Sequence, residues 1–130
     1  MTSKTYLTST IQCFSAYLPA FVWAATIFIL SSQSQLPGFT IISYDYVLKK
    51  LAHISVYAVL YLLLHRGFER SHPNASLHSQ WLVPCVLTLL YALTDELHQS
   101  FVPGRSATLR DIGYDTLGIG IAFLWKYKYL

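Results

Sequence analysis

The sequence predicts an all-α, polytopic integral membrane protein built as a bundle of four transmembrane helices. Of its 130 residues, 54% are hydrophobic and only 12% are charged, whereas about a quarter of the residues in soluble domains are charged. The mean hydropathy is +0.42. The apolar residues also collect in four stretches, each near the lower limit of the roughly 17–25 residues that a spanning helix needs.

The predicted helices cover residues 16–32, 47–65, 81–101 and 110–127, within one domain spanning residues 1–130. A cleaved signal peptide is the alternative for the first stretch, with Lys4 as its basic region. The long polar lead through residue 15 and the poor cleavage site Ser31-Ser32-Gln33-Ser34 disfavour that alternative. Pro37-Gly38 then signals a turn before the second helix.

The second helix places three polar residues on one stripe. Lys50, His53 and Tyr57 are spaced at i, i+3 and i+7, so they share a helix face. The segment that follows holds irregularly spaced histidines, which we predict to be loop residues: His65, His72 and His78.

The third helix contains the most informative segment, where an apolar run meets a group of polar and charged residues: Asp95, Glu96, His98, Gln99 and Arg105. Pro103-Gly104 is predicted to end this helix. An ionisable group at membrane depth costs about 2.5–3.5 kcal/mol on insertion scales, so such groups usually have a use. This segment is therefore the first candidate for function.

A capping box is predicted to start the fourth helix, with Thr108 as N-cap and Asp111 at the third helical position. Asp111, Asp115 and Gly118 share one face of this helix. Gly118 and Gly120 favour close packing against a neighbouring helix.

Four alternating traverses place the start of the second helix, the end of the third and the start of the fourth on one side of the membrane. Five of the six acidic residues lie on that side: Asp45, Asp95, Glu96, Asp111 and Asp115. We predict a polar pocket there, open to one membrane face. The alternative is that these residues pair only to hold the helices together.

Asp95 and Glu96 lie near a helix C-terminus, where the macrodipole disfavours negative charge. We therefore expect cationic partners for them, drawn from three residues nearby: Lys50, His98 and Arg105.

The orientation signal in the basic residues is nearly flat. With the N-terminus inside, five basic residues are cytoplasmic: Lys4, Arg66, Arg70, Lys126 and Lys128. Four lie outside: Lys49, Lys50, Arg105 and Arg110. If these four serve the polar pocket, every other basic residue follows the positive-inside rule. We therefore predict that both termini are cytoplasmic and that the pocket faces outward.

Several classes of site are disfavoured by the sequence. Cys13 and Cys85 are far apart and form no metal-binding or disulfide pattern. The net charge of +3 is modest and unclustered, so no nucleic-acid partner is expected. A metal site built from His53, Asp95 and His98 would have only three ligands from two helices, so we expect no metal and no other cofactor.

These residues, in this order, resemble the VanZ-like family of small bacterial membrane proteins. The resemblance covers about residues 20–125 and rests on four segments: Ser31-Ser32-Gln33-Ser34, Lys50-x-x-His53-x-x-x-Tyr57, Asp95-Glu96-x-His98-Gln99 with Pro103-Gly104-Arg105, and Asp111-x-x-x-Asp115-Thr116-Leu117-Gly118. Lys49 stands where the family often has Asp, and Asp115 where it often has Asn. The resemblance implies a place in the bacterial cytoplasmic membrane and a link to low-level teicoplanin resistance, but no settled biochemical activity.

We expect a protein that binds or modifies a lipid-linked anionic substrate, either a phospholipid or a cell-wall precursor. Lys50 and Arg105 would hold phosphate oxygens, and the other binding residues would be Tyr57, Gln99, Asp111 and Asp115. Acid/base, phosphoryl or acyl chemistry would fall to His53, Asp95, Glu96 and His98.

Two other functions remain open. One is a non-enzymatic module that binds envelope components or a partner and limits antibiotic access. The other is a small proton-coupled transporter, for which 130 residues make a thin bundle unless the protein forms a homo-oligomer.

Overall fold

The structure, a computed structural model, describes residues 3–34, 42–105 and 107–130, without the side chains of residues 3–11, 42, 43 and 45. In chain order the helices are α1 (Ser3–Ser31), α2 (Ile42–Ser71), α3 (Leu77–Ser100) and α4 (Leu109–Lys126). The described part of the chain is therefore all-helical, as predicted. The Pro37-Gly38 turn and the side chains of Lys4 and Asp45 lie outside the described residues.

The first three helices are longer than predicted, with 29, 30 and 24 residues. α1 starts at residue 3 rather than 16, α2 covers 42–71 rather than 47–65, and α3 starts at 77 rather than 81. The predicted limits followed the apolar residues, whereas helical hydrogen bonding continues through polar ends. Ser76 caps α3 by accepting a hydrogen bond from the Ser79 N–H at 3.2 Å.

These longer helices correct the placement of two histidines. His65 lies inside α2 and His78 inside α3, whereas His72 follows α2 as a loop residue. The third and fourth helices end and begin within about a residue of the predicted positions, and Gly104, at φ +81°, lies in the connection between them. A glycine adopts this left-handed conformation without steric cost.

Three segments are long and apolar enough to span a membrane: Gln12–Ser31, Tyr46–Ser71 and Leu77–Ser100. α4 does not meet that description, because its 18 residues carry four charges: Arg110, Asp111, Asp115 and Lys126. Helices long and apolar enough to span a membrane are thus found at three of the four predicted positions.

α2 occupies the centre of the bundle, where it contacts the other three helices and most extensively α4. The core is formed by Ile27, Tyr57, Leu60, Tyr61, Ala92, Ile119 and Ala122. Large apolar side chains are exposed on the outer surface, including Phe21, Ile29 and Leu90 at 62%, 60% and 54% exposure. Such a surface suits contact with lipid rather than with water.

Close approach of α2 and α4 depends on one glycine. A Cβ atom at Gly118 would overlap the backbone carbonyl of Ile54, so only glycine fits there. A Cβ at Gly120 would meet no atom within 4 Å among the described residues. The predicted packing role is therefore confirmed for Gly118 and wrong for Gly120.

Candidate functional site

Polar residues from all four helices meet at one end of the bundle. We call this group the end cluster, and it consists of Ser31, Lys50, His53, Tyr57, Asp95, Glu96, Gln99, Arg105, Thr108, Asp111 and Asp115. Its contacts join residues far apart in sequence, such as Ser31 and Asp95 at 2.9 Å. The end of α1, the start of α2, the end of α3 and the start of α4 therefore lie together, as the topology argument requires.

Asp95 is the centre of the end cluster. One oxygen of its carboxylate, Oδ2, accepts hydrogen bonds at 2.9 Å from three donors: Ser31 Oγ, Tyr57 OH and Gln99 Nε2. Asp95 is 5% exposed, and its other oxygen, Oδ1, has no hydrogen-bond partner among the described residues. Three helices are joined at a single carboxylate.

Arg105 reaches Asp95 only through a glutamine. Its Nη1 donates to Gln99 Oε1 at 2.9 Å, and the Gln99 amide nitrogen donates in turn to Asp95. The remaining contacts of the guanidinium are with backbone carbonyls at the end of α1, Nε with Gln33 at 3.1 Å and Nη2 with Leu30 at 2.9 Å. Arg105 thus caps α1, because a cation near a helix C-terminus interacts favourably with the orphan carbonyls.

Within the end cluster, two pairs of oppositely charged groups join the described parts of α2 and α4, with His53 charged when protonated. Lys50 Nζ contacts the Asp111 carboxylate, and His53 Nδ1 lies 2.8 Å from Asp115 Oδ1. The Lys50 ammonium also lies 5.2 Å and 5.5 Å from the ring centroids of Tyr46 and Tyr114. These distances allow cation–π attraction, so Lys50 is held on several sides.

The start of α4 differs from a standard capping box. Thr108 is the N-cap, as predicted, but its Oγ1 donates to the Asp111 carboxylate at 2.9 Å instead of accepting from the backbone. Its own N–H donates to Glu96 Oε1 at 2.6 Å. A carboxylate of α3 therefore satisfies an N–H group that the capping box would have assigned to Asp111.

The expected cationic partners of Asp95 and Glu96 are not observed among the described residues. Asp95 accepts from neutral groups, and Glu96 accepts from the backbone of Thr108. The physical reason is that both cations have other partners. Lys50 pairs with Asp111, and Arg105 donates hydrogen bonds to carbonyls at the end of α1. His98 is also directed elsewhere, with Nε2 3.0 Å from Ser32 Oγ and its ring 4.6 Å from that of Phe28.

Most of the end cluster is buried in the described part of the chain. Seven of its members are at most 6% exposed: Ser31, Tyr57, Asp95, Glu96, Gln99, Asp111 and Asp115. The side chains of Lys50 and His53 are 18% and 17% exposed, and Arg105 is half-buried. Together with the exposed Thr108, these three residues bring the cluster to the surface of the described structure.

A family model described as VanZ/LLP1 matches residues 8–128 of the chain. The chain belongs to the VanZ/LLP1 family. With its long apolar helices, this VanZ/LLP1 chain is a membrane protein. No curated protein and no solved structure matches it significantly. Within the described part of the chain, no three or more His, Cys, Asp or Glu side chains are grouped to hold a metal ion.

Sequence reasoning missed several members of the site in this VanZ/LLP1 protein. Ser31 and Thr108 both contact cluster carboxylates directly. Ser31 stood in a segment of the family resemblance, and Thr108 was assigned only a capping role. A second polar group at the opposite end of α2, around the buried His65, was also missed because this histidine was predicted to lie in a loop.

Proposed function

We propose that the end cluster binds the headgroup of a membrane lipid or of a lipid-linked cell-wall precursor, whose tail stays in the surrounding lipid. The observation that carries this proposal is the position of Arg105. Its guanidinium is half-buried where α1, α3 and the connection to α4 meet. Among the described residues, three of its five N–H donors are used, which leaves one on each terminal nitrogen for a phosphate oxygen.

Lys50 supports the same proposal from the other side of the cluster. It is a second cation that is partly exposed, and tyrosine rings flank it. A headgroup between Lys50 and Arg105 would be anionic near these residues, and it could donate a hydrogen bond to Asp95 Oδ1, which lacks a partner in the described residues. Such a donor would offset the cost of an unpaired buried acceptor, about 1–3 kcal/mol.

We place the end cluster at the outer face of the bacterial cytoplasmic membrane, with α4 as a fourth span. Asp111 near the start of α4 pairs with Lys50 near the start of α2, and Lys126 at its end lies 3.1 Å from Glu69 near the end of α2. α4 therefore runs beside α2 in the same direction, and three of its four charged residues, Asp111, Asp115 and Lys126, pair with α2. Both termini are then cytoplasmic, and the contacts of Lys50 and Arg105 within the cluster explain why basic residues occur on the outer side.

The test is the lipid that remains bound after purification in a mild detergent. Mass spectrometry should find a specific phosphate-bearing lipid with the wild type, and Arg105→Ala should lose it. Arg105→Lys should retain only part, because lysine keeps the charge but not the planar fork. Arg66→Ala, at an exposed site on the opposite end of α2, is the matched control. Equal lipid content in all four proteins would overturn the proposal.

Acid/base catalysis on the same headgroup is the second candidate function, and the His53–Asp115 pair favours it. A histidine held by a carboxylate at 2.8 Å has a fixed ring orientation, as a general base requires. His98 has no such carboxylate among the described residues. We expect His53→Gln to abolish turnover but keep lipid binding, and His98→Gln to change neither.

A role in teicoplanin tolerance is proposed from family membership. Expression of the wild type should raise the minimum inhibitory concentration of teicoplanin, and Arg105→Ala should remove that increase. If His53→Gln retains full tolerance, binding without catalysis accounts for the phenotype. If neither the wild type nor any variant alters the minimum inhibitory concentration of teicoplanin, the resistance role is excluded for this chain. Lipid binding is then judged separately, by the lipid-retention experiment.

A further inference from the structure

A continuous polar stripe runs along the inner face of α2. Beyond Lys50 and His53, it continues at four-residue intervals with Tyr57, Tyr61, His65 and Glu69. The middle three are 1%, 0% and 1% exposed. At 1.5 Å per residue, the stretch 50–69 is about 28 Å long, close to the roughly 30 Å of a bilayer's hydrocarbon core.

Buried polar atoms without a partner are found mostly on α2, and two of them, on Tyr61 and His65, belong to this stripe. Within the described residues there are four: Tyr61 OH, His65 Nδ1, Ser71 Oγ and Asp95 Oδ1. Three belong to α2, and the fourth belongs to the carboxylate that Tyr57 contacts. Each such atom costs about 1–3 kcal/mol, and in proteins these atoms usually bind ordered water. The buried face of α2 therefore favours the binding of internal water molecules.

The stripe reaches solvent at the end opposite the end cluster. There the side chains of Glu69 and Lys126 are 37% and 35% exposed and lie 3.1 Å apart. His65 Nδ1 is 3.3 Å from Glu69 Oε2, within ion-pair distance but not aligned for a hydrogen bond. On the other side of its ring, His65 Nε2 lies 2.8 Å from Tyr127 OH.

The surroundings of His65 suit proton exchange. Burial, with Glu69 nearby, raises the pKa of the Tyr127 hydroxyl, so this group stays protonated and can donate to Nε2. The hydroxyl can equally accept from an Nε2–H, and in that tautomer Nδ1, on the side of Glu69, is free to accept a proton. Lys126 on α4 and Tyr61 on α2 also lie close to His65. Cys85 on α3 packs against the same core.

We propose that Tyr61 and His65 form the buried middle of a proton-transfer path along α2, which connects Glu69 at one membrane face with Asp95 in the end cluster. A proton taken from water by Glu69 passes to His65, and His65 releases one through internal water to Tyr61 and Tyr57. In one concerted step, Tyr57 takes up a proton from the Tyr61 side and passes its hydroxyl proton to Asp95, so no phenolate forms. From Asp95 the proton passes through internal water to the partly exposed His53–Asp115 pair and leaves there.

The described contacts include no direct hydrogen bond between Tyr57 and Tyr61, so water must bridge that step. Transfer is therefore slower than in an open channel. The path shares Asp95 with the proposed headgroup site, but its buried middle is separate, because neither Tyr61 nor His65 contacts Arg105 in the described part of the chain.

The test uses purified full-length protein in sealed phosphatidylcholine–phosphatidylglycerol liposomes that contain a pH-sensitive dye. A potassium gradient with valinomycin supplies the driving potential. Wild-type liposomes should change internal pH faster than protein-free liposomes, and Tyr61→Phe should lose that protein-dependent rate. This change removes only an unpaired hydroxyl and keeps the ring, so the variant should fold.

Tyr91→Phe is the matched control, since Tyr91 is a partly buried phenol off the stripe that donates to the Ala24 carbonyl at 2.6 Å. It should conduct like the wild type. His65→Leu should lose transfer, whereas His72→Leu, outside α2, should keep it. A wild-type rate equal to that of protein-free liposomes, or an unchanged rate in Tyr61→Phe, would overturn the proposal. Lipid retention by Tyr61→Phe should match the wild type, so failure of the path and failure of headgroup binding are distinguishable.

Discussion

Tyr57 of α2 donates a hydrogen bond of 2.9 Å to the Asp95 carboxylate of α3, and neither residue is more than 5% exposed. This contact joins the polar stripe of α2 to the end cluster. Because the same oxygen of Asp95 also accepts from Ser31 and Gln99, one carboxylate holds α1, α2 and α3 in register.

Replacement of Asp95 should strongly destabilise the bundle. Asp95→Ala leaves three buried donors without their acceptor, and each costs about 1–3 kcal/mol, so we expect a loss of about 3 kcal/mol or more in the free energy of unfolding. Asp95→Asn should be milder, because its amide oxygen still accepts. Reversible unfolding in mixed micelles measures both. The control is Thr94→Ala, which removes an exposed hydroxyl bonded to the Tyr91 carbonyl; equal stability of Asp95→Ala and this control would contradict the assigned role.

The contact between Lys50 and Asp111 should appear as energetic coupling. A double-mutant cycle with Lys50→Met and Asp111→Asn is expected to give a coupling free energy of about 1–3 kcal/mol, since both side chains are largely buried and share one contact. Lys50→Met with Asp115→Asn should give less, because Asp115 pairs with His53. Additive effects in both cycles would show that the Lys50–Asp111 pair does not connect α2 and α4.

Gly118 should tolerate no side chain. A methyl group there overlaps the Ile54 carbonyl, a backbone atom that cannot rotate away. Overpacking of this kind costs about 1–3 kcal/mol, so Gly118→Ala should lower the melting temperature in detergent. Gly120→Ala, which adds a methyl group where no described atom lies within 4 Å, should leave it unchanged or raise it. Similar melting temperatures for the two variants would contradict the close α2–α4 packing.

Labelling of single cysteines will test whether α4 crosses the membrane. In a protein with Cys13 and Cys85 replaced by alanine, Leu109→Cys should react from the outside. Tyr129→Cys and Asn74→Cys should react only from the inside. Leu109 and Tyr129 are 87% and 72% exposed, and Asn74 is also exposed, so each is accessible to the reagent. Reaction of positions 109 and 129 from the same side would mean that α4 does not span.

Much of the end cluster could be predicted from the sequence because two periodicities constrain it. The helical repeat puts Lys50, His53 and Tyr57 on one stripe, and all three indeed contact cluster carboxylates. Alternating traverses bring the ends of α2, α3 and α4 together before any contact is known. Helix limits were less predictable, since polar ends continue a helix without adding to an apolar run.

Partner choice could not be predicted in the same way. Arg105 was expected to meet a carboxylate or phosphate, but it contacts Gln99 and two carbonyls at the end of α1. His98 follows Asp95 by three residues, yet it contacts Ser32 on the side of α1. Both results depend on how α1 packs against α3, and hydropathy contains no information about that packing.

By itself, the sequence determined that apolar helices form and which of their ends carry polar groups, because burial of apolar surface and helical spacing are local properties of the chain. Only the tertiary structure decided which donor meets which acceptor, that most of the cluster is buried, and that His65 lies buried in a stripe along α2. Those features depend on the rotation of each helix about its axis and on the close α2–α4 approach that Gly118 allows.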